Sequence, residues 1–211
     1  MNMKKIILTG LLLLPVFAVR ADERSQEILR KMGATFNGYN SYSIEFTATM
    51  QGEFQDLDGF LIVSGDKYYL DVYDSEIFFD GRNGYTYSES NDEVIIETPD
   101  PNDTRLFANP TRIFSLYERD FNSNFKGTVT VNGKSTSQIE LTPKSNDMGY
   151  SKVTLYADAQ GMPVRLIYRI NEYGNDLVIN VSKITANVPV TRDTFLFDPT
   201  KYPGVEIIDF R

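Results

Sequence analysis

The chain of 211 residues contains no cysteine, no histidine and no tryptophan. The lack of cysteine excludes a disulfide framework and the acylated cysteine that anchors a bacterial lipoprotein. The lack of histidine excludes Ser-His-Asp and Cys-His catalysis and every metal site built on imidazole. Only carboxylates, lysines, tyrosines and hydroxyl groups remain for chemistry. We therefore expect no cofactor, no metal ion and no enzymatic activity.

No apolar run reaches the roughly 18 residues that a transmembrane helix needs. At the N-terminus, Lys4-Lys5 is followed by the apolar stretch 6–16 and then by Val19-Arg20-Ala21. This order is typical of a secretory signal peptide with a small residue at its cleavage site. We predict that residues 1–21 are removed, with cleavage after Ala18 as the alternative. The product would be a soluble periplasmic protein without a lipid anchor.

Residues 22–211 have a length that suits one domain with a sizeable core. The formal net charge of −8 becomes −11 without the first 21 residues, because that segment carries three basic residues and no acidic one. An acidic surface repels phosphate backbones and anionic membranes, which disfavours nucleic-acid binding. We expect a single-domain monomer.

The apolar pattern predicts a first helix and then a long series of strands. Ile28, Met32 and Phe36 recur at helical spacing, between a cap at Asp22 or Ser25 and a stop at Asn37-Gly38. From Tyr42, apolar and polar residues alternate strictly, as in a strand with one buried face. Further strands are predicted near residues 59–64, 67–73, 76–80, 84–88, 93–98, 127–131, 137–141, 152–157, 164–170, 176–184 and 205–208.

A second helix is predicted in the middle of this series. Asn109-Pro110 suits a helix start, since asparagine caps well and proline is favoured in the first turn. The segment Pro110–Arg119 carries Ile113, Phe114 and Tyr117 on one side. It reads as a short amphipathic helix between two groups of strands.

These elements predict a mainly β, α+β fold with two or three short helices. Consecutive hairpins imply a strongly curved antiparallel sheet with the helices against its concave side. Several strands, such as Phe60–Val63, are apolar on both faces. Two helices offer few side chains to fill such an interior, so we expect an apolar cavity that holds a ligand. Periodicity alone leaves a filled core open as the alternative.

A series of local motifs runs through most of the chain: Tyr42–Met50 with a central Phe46, Gly59–Val63, Phe79-Asp80-Gly81-Arg82 before Tyr85-Thr86-Tyr87, Asn109-Pro110, Ile139–Lys144, Phe195–Pro199 and Pro203-Gly204-Val205. In this order, the motifs make the chain resemble the LolA family of periplasmic outer-membrane lipoprotein carriers. One feature departs from the family pattern. Ser64-Gly65-Asp66 stands where many carriers have the arginine that ties down their helical lid.

The resemblance implies a half-open β-barrel with a helical lid over an apolar cavity. It implies that the cavity binds the acyl chains of lipoproteins on their way from the inner to the outer membrane. An inner-membrane release complex and an outer-membrane acceptor would be the partners. The residues expected to line the cavity are Phe46, Met50, Ile62, Tyr69, Phe79 and Tyr87 from the sheet, and Ile113, Phe114 and Tyr117 from the lid.

Two other functions remain open at this stage. The same fold could serve as a sensor or interaction module that binds a lipoprotein or a protein partner without transport. An enzyme using a carboxylate pair, Asp56 with Asp58 or Asp74 with Glu76, is disfavoured because acidic residues at turns are ordinarily solvated.

Overall fold

The computed structural model describes residues 16–50, 52–100, 103, 120–145, 148–170 and 175–211. In these ranges it has one α-helix, α1 (Val16–Asn37), and 3₁₀ turns at Arg192–Phe195 and Pro199–Lys201. Among the described residues, no helix is both long enough and apolar enough to cross a membrane. The strands are β1 (Tyr42–Met50), β2 (Phe54–Ser64), β3 (Lys67–Val72), β4 (Ser75–Phe79), β5 (Gly84–Ser88), β6 (Glu93–Glu97), β7 (Phe121–Val131), β8 (Lys134–Pro143), β9 (Tyr150–Ala157), β10 (Pro163–Ile170), β11 (Asp176–Ala186) and β12 (Glu206–Asp209).

Helix α1 is longer than the sequence predicts, because it begins at Val16 rather than at Asp22 or Ser25. The residues from Val16 to Asp22 contain no proline or glycine, so nothing there ends a helix that extends backwards. The C-terminal end is where it was predicted. The amide of Gly38 donates to the carbonyl oxygens of Ala34 and Thr35 at 3.1 and 3.2 Å, which closes the last turn.

All twelve strands belong to one curved sheet built from two meanders. The strand order is β12-β6-β5-β4-β3-β2-β1-β11-β10-β9-β8-β7. Neighbours within each meander are antiparallel hairpins, as the sequence predicts. Strand β11 then returns to pair with β1, and this antiparallel pairing joins the two halves.

The prediction of a purely antiparallel sheet is wrong for the last strand. Strand β12 pairs with β6 in parallel, with Ile207 opposite Val94. Between β11 and β12 the chain crosses one face of the sheet. Because of this crossing, β12 runs in the same direction as β6 and not opposite to it. The amide of Glu206 donates to the Asp92 carbonyl oxygen at 2.9 Å, which fixes where the pairing begins.

Two strands begin at least five residues earlier than predicted. Strand β2 starts at Phe54 instead of residue 59, and β7 starts at Phe121 instead of residue 127. Polar residues in both segments weaken the alternating apolar pattern, so the sequence did not predict a strand there. The second helix predicted at Pro110–Arg119 lies outside the described residues.

The core forms between α1 and one face of the sheet, which we call the inner face. Leu29, Met32 and Phe36 of α1 join Ile44 and Leu155 of the sheet in one buried cluster. The opposite face is the outer face. The helix also contacts β7 directly, where the buried Ser25 lies 2.8 Å from the Ser123 hydroxyl.

Candidate ligand-binding site

The inner face carries three of the predicted cavity residues. Strand β1 alternates without interruption, so Phe46 and Met50 lie on the same face as the buried Ile44 and Ala48. Phe79 lies on this face too, because it stacks on the buried Tyr68 with ring centroids 5.3 Å apart. The described part of the chain therefore brings Phe46, Met50 and Phe79 to one surface.

This surface is apolar but incompletely covered. Its half-buried side chains pack against the core cluster on one side and keep part of their surface accessible. Polar groups are few among them, so the surface resembles the wall of an apolar ligand site. Half-buried residues of this surface include Phe46, Met50, Val72, Ile77, Phe79, Ile170 and Ile179.

A glycine makes room for the central aromatic ring. Gly59 of β2 is the register partner of Phe46, and a Cβ atom added there would lie 2.3 Å from Phe46 Cζ. The tip of the ring therefore lies directly over the backbone of β2 at Gly59. A larger residue at position 59 would push the ring away from the sheet.

The other three predicted sheet residues, Ile62, Tyr69 and Tyr87, lie on the outer face. Register explains the separation: Phe46 faces Gly59, so Leu61 and Val63 turn inward and Ile62 turns outward. Ile62 then pairs with Tyr69, and the same face continues to Tyr87. Because Phe60–Val63 is apolar at every position, the sequence pattern could not decide between the two faces.

The C-terminal segment, residues 192–211, covers this outer aromatic surface. Phe197 contacts Phe78 and Tyr85, with ring centroids 6.1 and 6.4 Å apart. Tyr202 packs on Tyr87 at 4.5 Å and on Phe197 at 4.8 Å. Two aromatic residues of the C-terminal segment thus pack over Tyr87 and the neighbouring rings of the outer face.

A carboxylate ties this segment to the sheet. Glu76 accepts hydrogen bonds from the Tyr69 hydroxyl at 2.7 Å and from the Tyr202 hydroxyl at 3.0 Å. Burial, and then Glu76, raises the pKa of both tyrosines, so they remain donors across the physiological range. Burial and the charge of Glu76 also raise the pKa of Asp71 on the neighbouring strand.

The carboxylates considered for catalysis have local partners. Asp56 accepts from the Thr49 hydroxyl at 3.1 Å, and Asp74 accepts from the Ser90 hydroxyl at 2.7 Å. Among the described residues, no group of three or more acidic side chains is arranged to hold a metal ion.

The lid residues Ile113, Phe114 and Tyr117 lie outside the described residues. The sequence analysis missed Val72, Ile77, Ile170 and Ile179 on the inner face. Pairing Phe46 with Gly59 would have revealed two of them, because that register turns Val72 and Ile77 inward through β3 and β4.

Comparisons with known proteins agree with this architecture. The family model for the outer membrane lipoprotein carrier protein LolA matches residues 59–198. No curated protein matches the chain significantly in sequence.

Solved structures are similar to this chain at low sequence identity, and the two with a TM-score above 0.5 share its fold. An uncharacterized conserved protein from Thermus thermophilus has a TM-score of 0.60 at 11% identity, covering 88% of this chain and 99% of that chain. A DUF1329 family protein from Desulfovibrio piger has a TM-score of 0.52 at 12% identity, with 86% and 99% covered. A putative outer membrane lipoprotein-sorting protein domain from Vibrio parahaemolyticus has a TM-score of 0.49 at 13% identity, with 82% and 97% covered. Because the family model matches more than half of the chain, the protein belongs to the LolA family of outer membrane lipoprotein carrier proteins.

Proposed function

We propose that the protein is a periplasmic carrier that binds the acyl chains of lipoproteins on its inner face and shuttles them from the inner to the outer membrane. The observation that carries the proposal is the row of half-buried apolar side chains around Phe46, Met50 and Phe79. These side chains pack against the core on one side and keep part of their surface accessible on the other. Family membership points to the same class of cargo.

The physical basis of binding is the burial of apolar surface. Each methylene group that leaves water contributes about 0.8 kcal/mol, so one acyl chain supplies most of the affinity that a carrier needs. Hydrophobic contacts are non-directional, which lets one site accept chains of different lengths. A carrier also has to release its cargo, and side chains that are only half covered suit reversible binding.

The expected partners follow from this proposal. An inner-membrane release complex would load the cargo, and an outer-membrane acceptor would receive it. Residues 1–21 would serve as the signal peptide for export. Binding through apolar contacts needs no cofactor and no histidine or cysteine, and the chain contains neither residue.

The test is a binding assay with a dansylated undecanoic acid and a synthetic triacylated lipopeptide. Met50→Lys places a charge on the inner face, while Ile167→Lys places the same charge at a half-buried apolar position on the outer face of β10. We expect Met50→Lys to weaken binding of both probes at least tenfold, because the buried ammonium costs more than 1.4 kcal/mol. Ile167→Lys should bind as the wild type does.

Far-ultraviolet circular dichroism of both variants establishes that each is folded. Equal loss in the two variants, or no binding by the folded wild type, would contradict the proposal. A transfer assay between donor and acceptor vesicles then separates a carrier from an interaction module. A protein that binds the lipopeptide but never delivers it would be a sensor.

A further inference from the structure

A pocket lies on the outer face, on the side of the sheet away from the proposed acyl site. It has a volume of about 310 Å³ and sits between strands β2–β4 and the C-terminal segment. That volume is near the lower limit of ligand pockets, roughly 300–1,000 Å³, so it suits a group the size of one side chain.

The floor of this pocket is apolar and aromatic. Ile62, Phe78 and Leu196 provide aliphatic and aromatic surface, and the rings of Tyr69 and Tyr202 add to it. A ligand with an apolar stem would be buried against this floor. Aromatic rings of this kind also attract cations through their negative faces.

The polar groups of the pocket favour a cation. Of the lining residues, Glu76, Asp193 and Asp198 are acidic and only Lys201 is basic. Asp198 already accepts hydrogen bonds from the Thr200 amide and hydroxyl at 3.0 and 2.7 Å. Asp193 and Lys201 lie exposed at the rim. The net charge that faces an incoming group is therefore negative.

Glu76 is the acidic lining residue that the sheet contributes, and it keeps free acceptor capacity. Each of its oxygens receives one tyrosine hydroxyl. A carboxylate oxygen has two lone pairs, so each oxygen can accept one more hydrogen bond. Two parallel acceptors match the fork of a guanidinium group, whereas an ammonium group offers only a point charge.

We propose that this pocket is a docking site for an arginine side chain of a partner polypeptide. The aliphatic stem of the arginine packs on Ile62 and Phe78, its guanidinium stacks near Tyr69 and Tyr202, and Glu76 accepts its hydrogen bonds. The site is separate from the inner face, so a partner could dock here while the inner face holds its cargo. The inference stands independently of the proposed carrier function.

The experiment is a titration of the full protein with amidated Gly-Gly-Arg-Gly-Gly, followed by nuclear magnetic resonance at the methyl groups of Ile62 and Leu196. Matched peptides carry lysine or citrulline in place of arginine, since citrulline keeps the shape and loses the charge. We expect saturable shifts with arginine at millimolar concentration, weaker binding of lysine and no saturation with citrulline.

Two variants and one control locate the contact. Glu76→Gln should weaken arginine binding about tenfold, because it removes a charge-assisted hydrogen bond. Asp193→Asn removes an exposed charge at the rim, and it should weaken binding about twofold. Glu45→Gln removes a carboxylate paired with Lys183 elsewhere on the sheet and should change nothing.

Equal binding of the arginine and citrulline peptides would overturn the proposal. So would an equal loss in Glu76→Gln and Glu45→Gln, which would indicate general attraction by the acidic surface. If the free amino-acid amide binds but the peptide does not, the pocket takes a small guanidinium compound and the docking proposal is wrong.

Discussion

The ring of Phe46 lies against the α-carbon of Gly59, its partner across the β1–β2 pair. A Cβ atom on Gly59 would meet three ring atoms of Phe46 at 2.3 to 2.9 Å, closer than real Cβ contacts allow. The ring of Phe46 can therefore occupy this position only because residue 59 is a glycine.

We predict that Gly59→Ala destabilises the fold by about 1–3 kcal/mol, because the added methyl group forces the ring or the strand to move. In a Phe46→Leu background the same substitution should be neutral or stabilising, since alanine restricts the unfolded chain and no longer meets a ring. Urea denaturation of the four proteins measures the coupling. Additive effects would show that the two residues do not constrain each other.

The Phe46–Gly59 pair also shows how far the sequence could predict the site. Alternation in Tyr42–Met50 placed Phe46 and Met50 on the core side, and the structure agrees because a strand with one polar face has one possible orientation. Phe60–Val63 is apolar on both faces, so its orientation depends on the register with β1. Ile62 and Tyr69 consequently lie on the outer face, under residues that are more than 120 positions away in the chain.

The fold was more predictable than the site. Turn residues such as Asn132-Gly133, both with positive φ, marked the hairpins directly in the sequence. The parallel pairing of β12 with β6 could not be predicted in this way. It depends on Glu76, Tyr202 and Phe197 holding the C-terminal segment across the outer face, which is a long-range contact without a local signal.

A second prediction concerns the length of the acyl chain. For saturated fatty acids of increasing length, each further methylene that reaches the inner face should strengthen binding by about 0.8 kcal/mol, or about fourfold. The increase should stop when the apolar surface around Phe46 and Ile77 is fully covered. Displacement of a dansylated fatty acid measures the series, and the chain length at the plateau reports the length of the site. An affinity independent of chain length would contradict binding by apolar burial.

A third prediction concerns the hydrogen bond between Tyr202 and Glu76. Tyr202→Phe keeps the ring stacking on Phe197 and removes the 3.0 Å hydrogen bond, so the free energy of unfolding should fall by about 0.5–1.5 kcal/mol. Tyr73→Phe is the matched control, because the Tyr73 side chain is 74% exposed.

The loss in Tyr202→Phe should appear first in the C-terminal segment. Hydrogen exchange at the amides of Glu206 and Phe210, which donate to β6 carbonyl groups or the turn before it, should accelerate more than exchange in β1. Uniform acceleration across the sheet would mean that the segment and the sheet unfold as one unit.

The last prediction is a loss of stability at high pH through buried tyrosines. Burial, together with Glu97, raises the pKa of Tyr68 to about 12, and burial, together with Asp120, raises the pKa of Tyr150 to about 12. In the unfolded chain both ionise near pH 10. A group with a raised pKa stabilises the folded state fully below its unfolded value, and this contribution is lost as the pH rises through its folded value.

The free energy of unfolding should therefore decrease between about pH 10 and about pH 12, by up to about 2–3 kcal/mol for each buried tyrosine. Tyr68→Phe should flatten this decrease, because phenylalanine has no proton to lose, whereas Tyr73→Phe should not. Urea denaturation at several alkaline pH values measures the slope, and absorbance at 295 nm follows ionisation in the same samples. An equal slope in Tyr68→Phe and the wild type would show that Tyr68 ionises in the fold as readily as in water, against its 3% exposure.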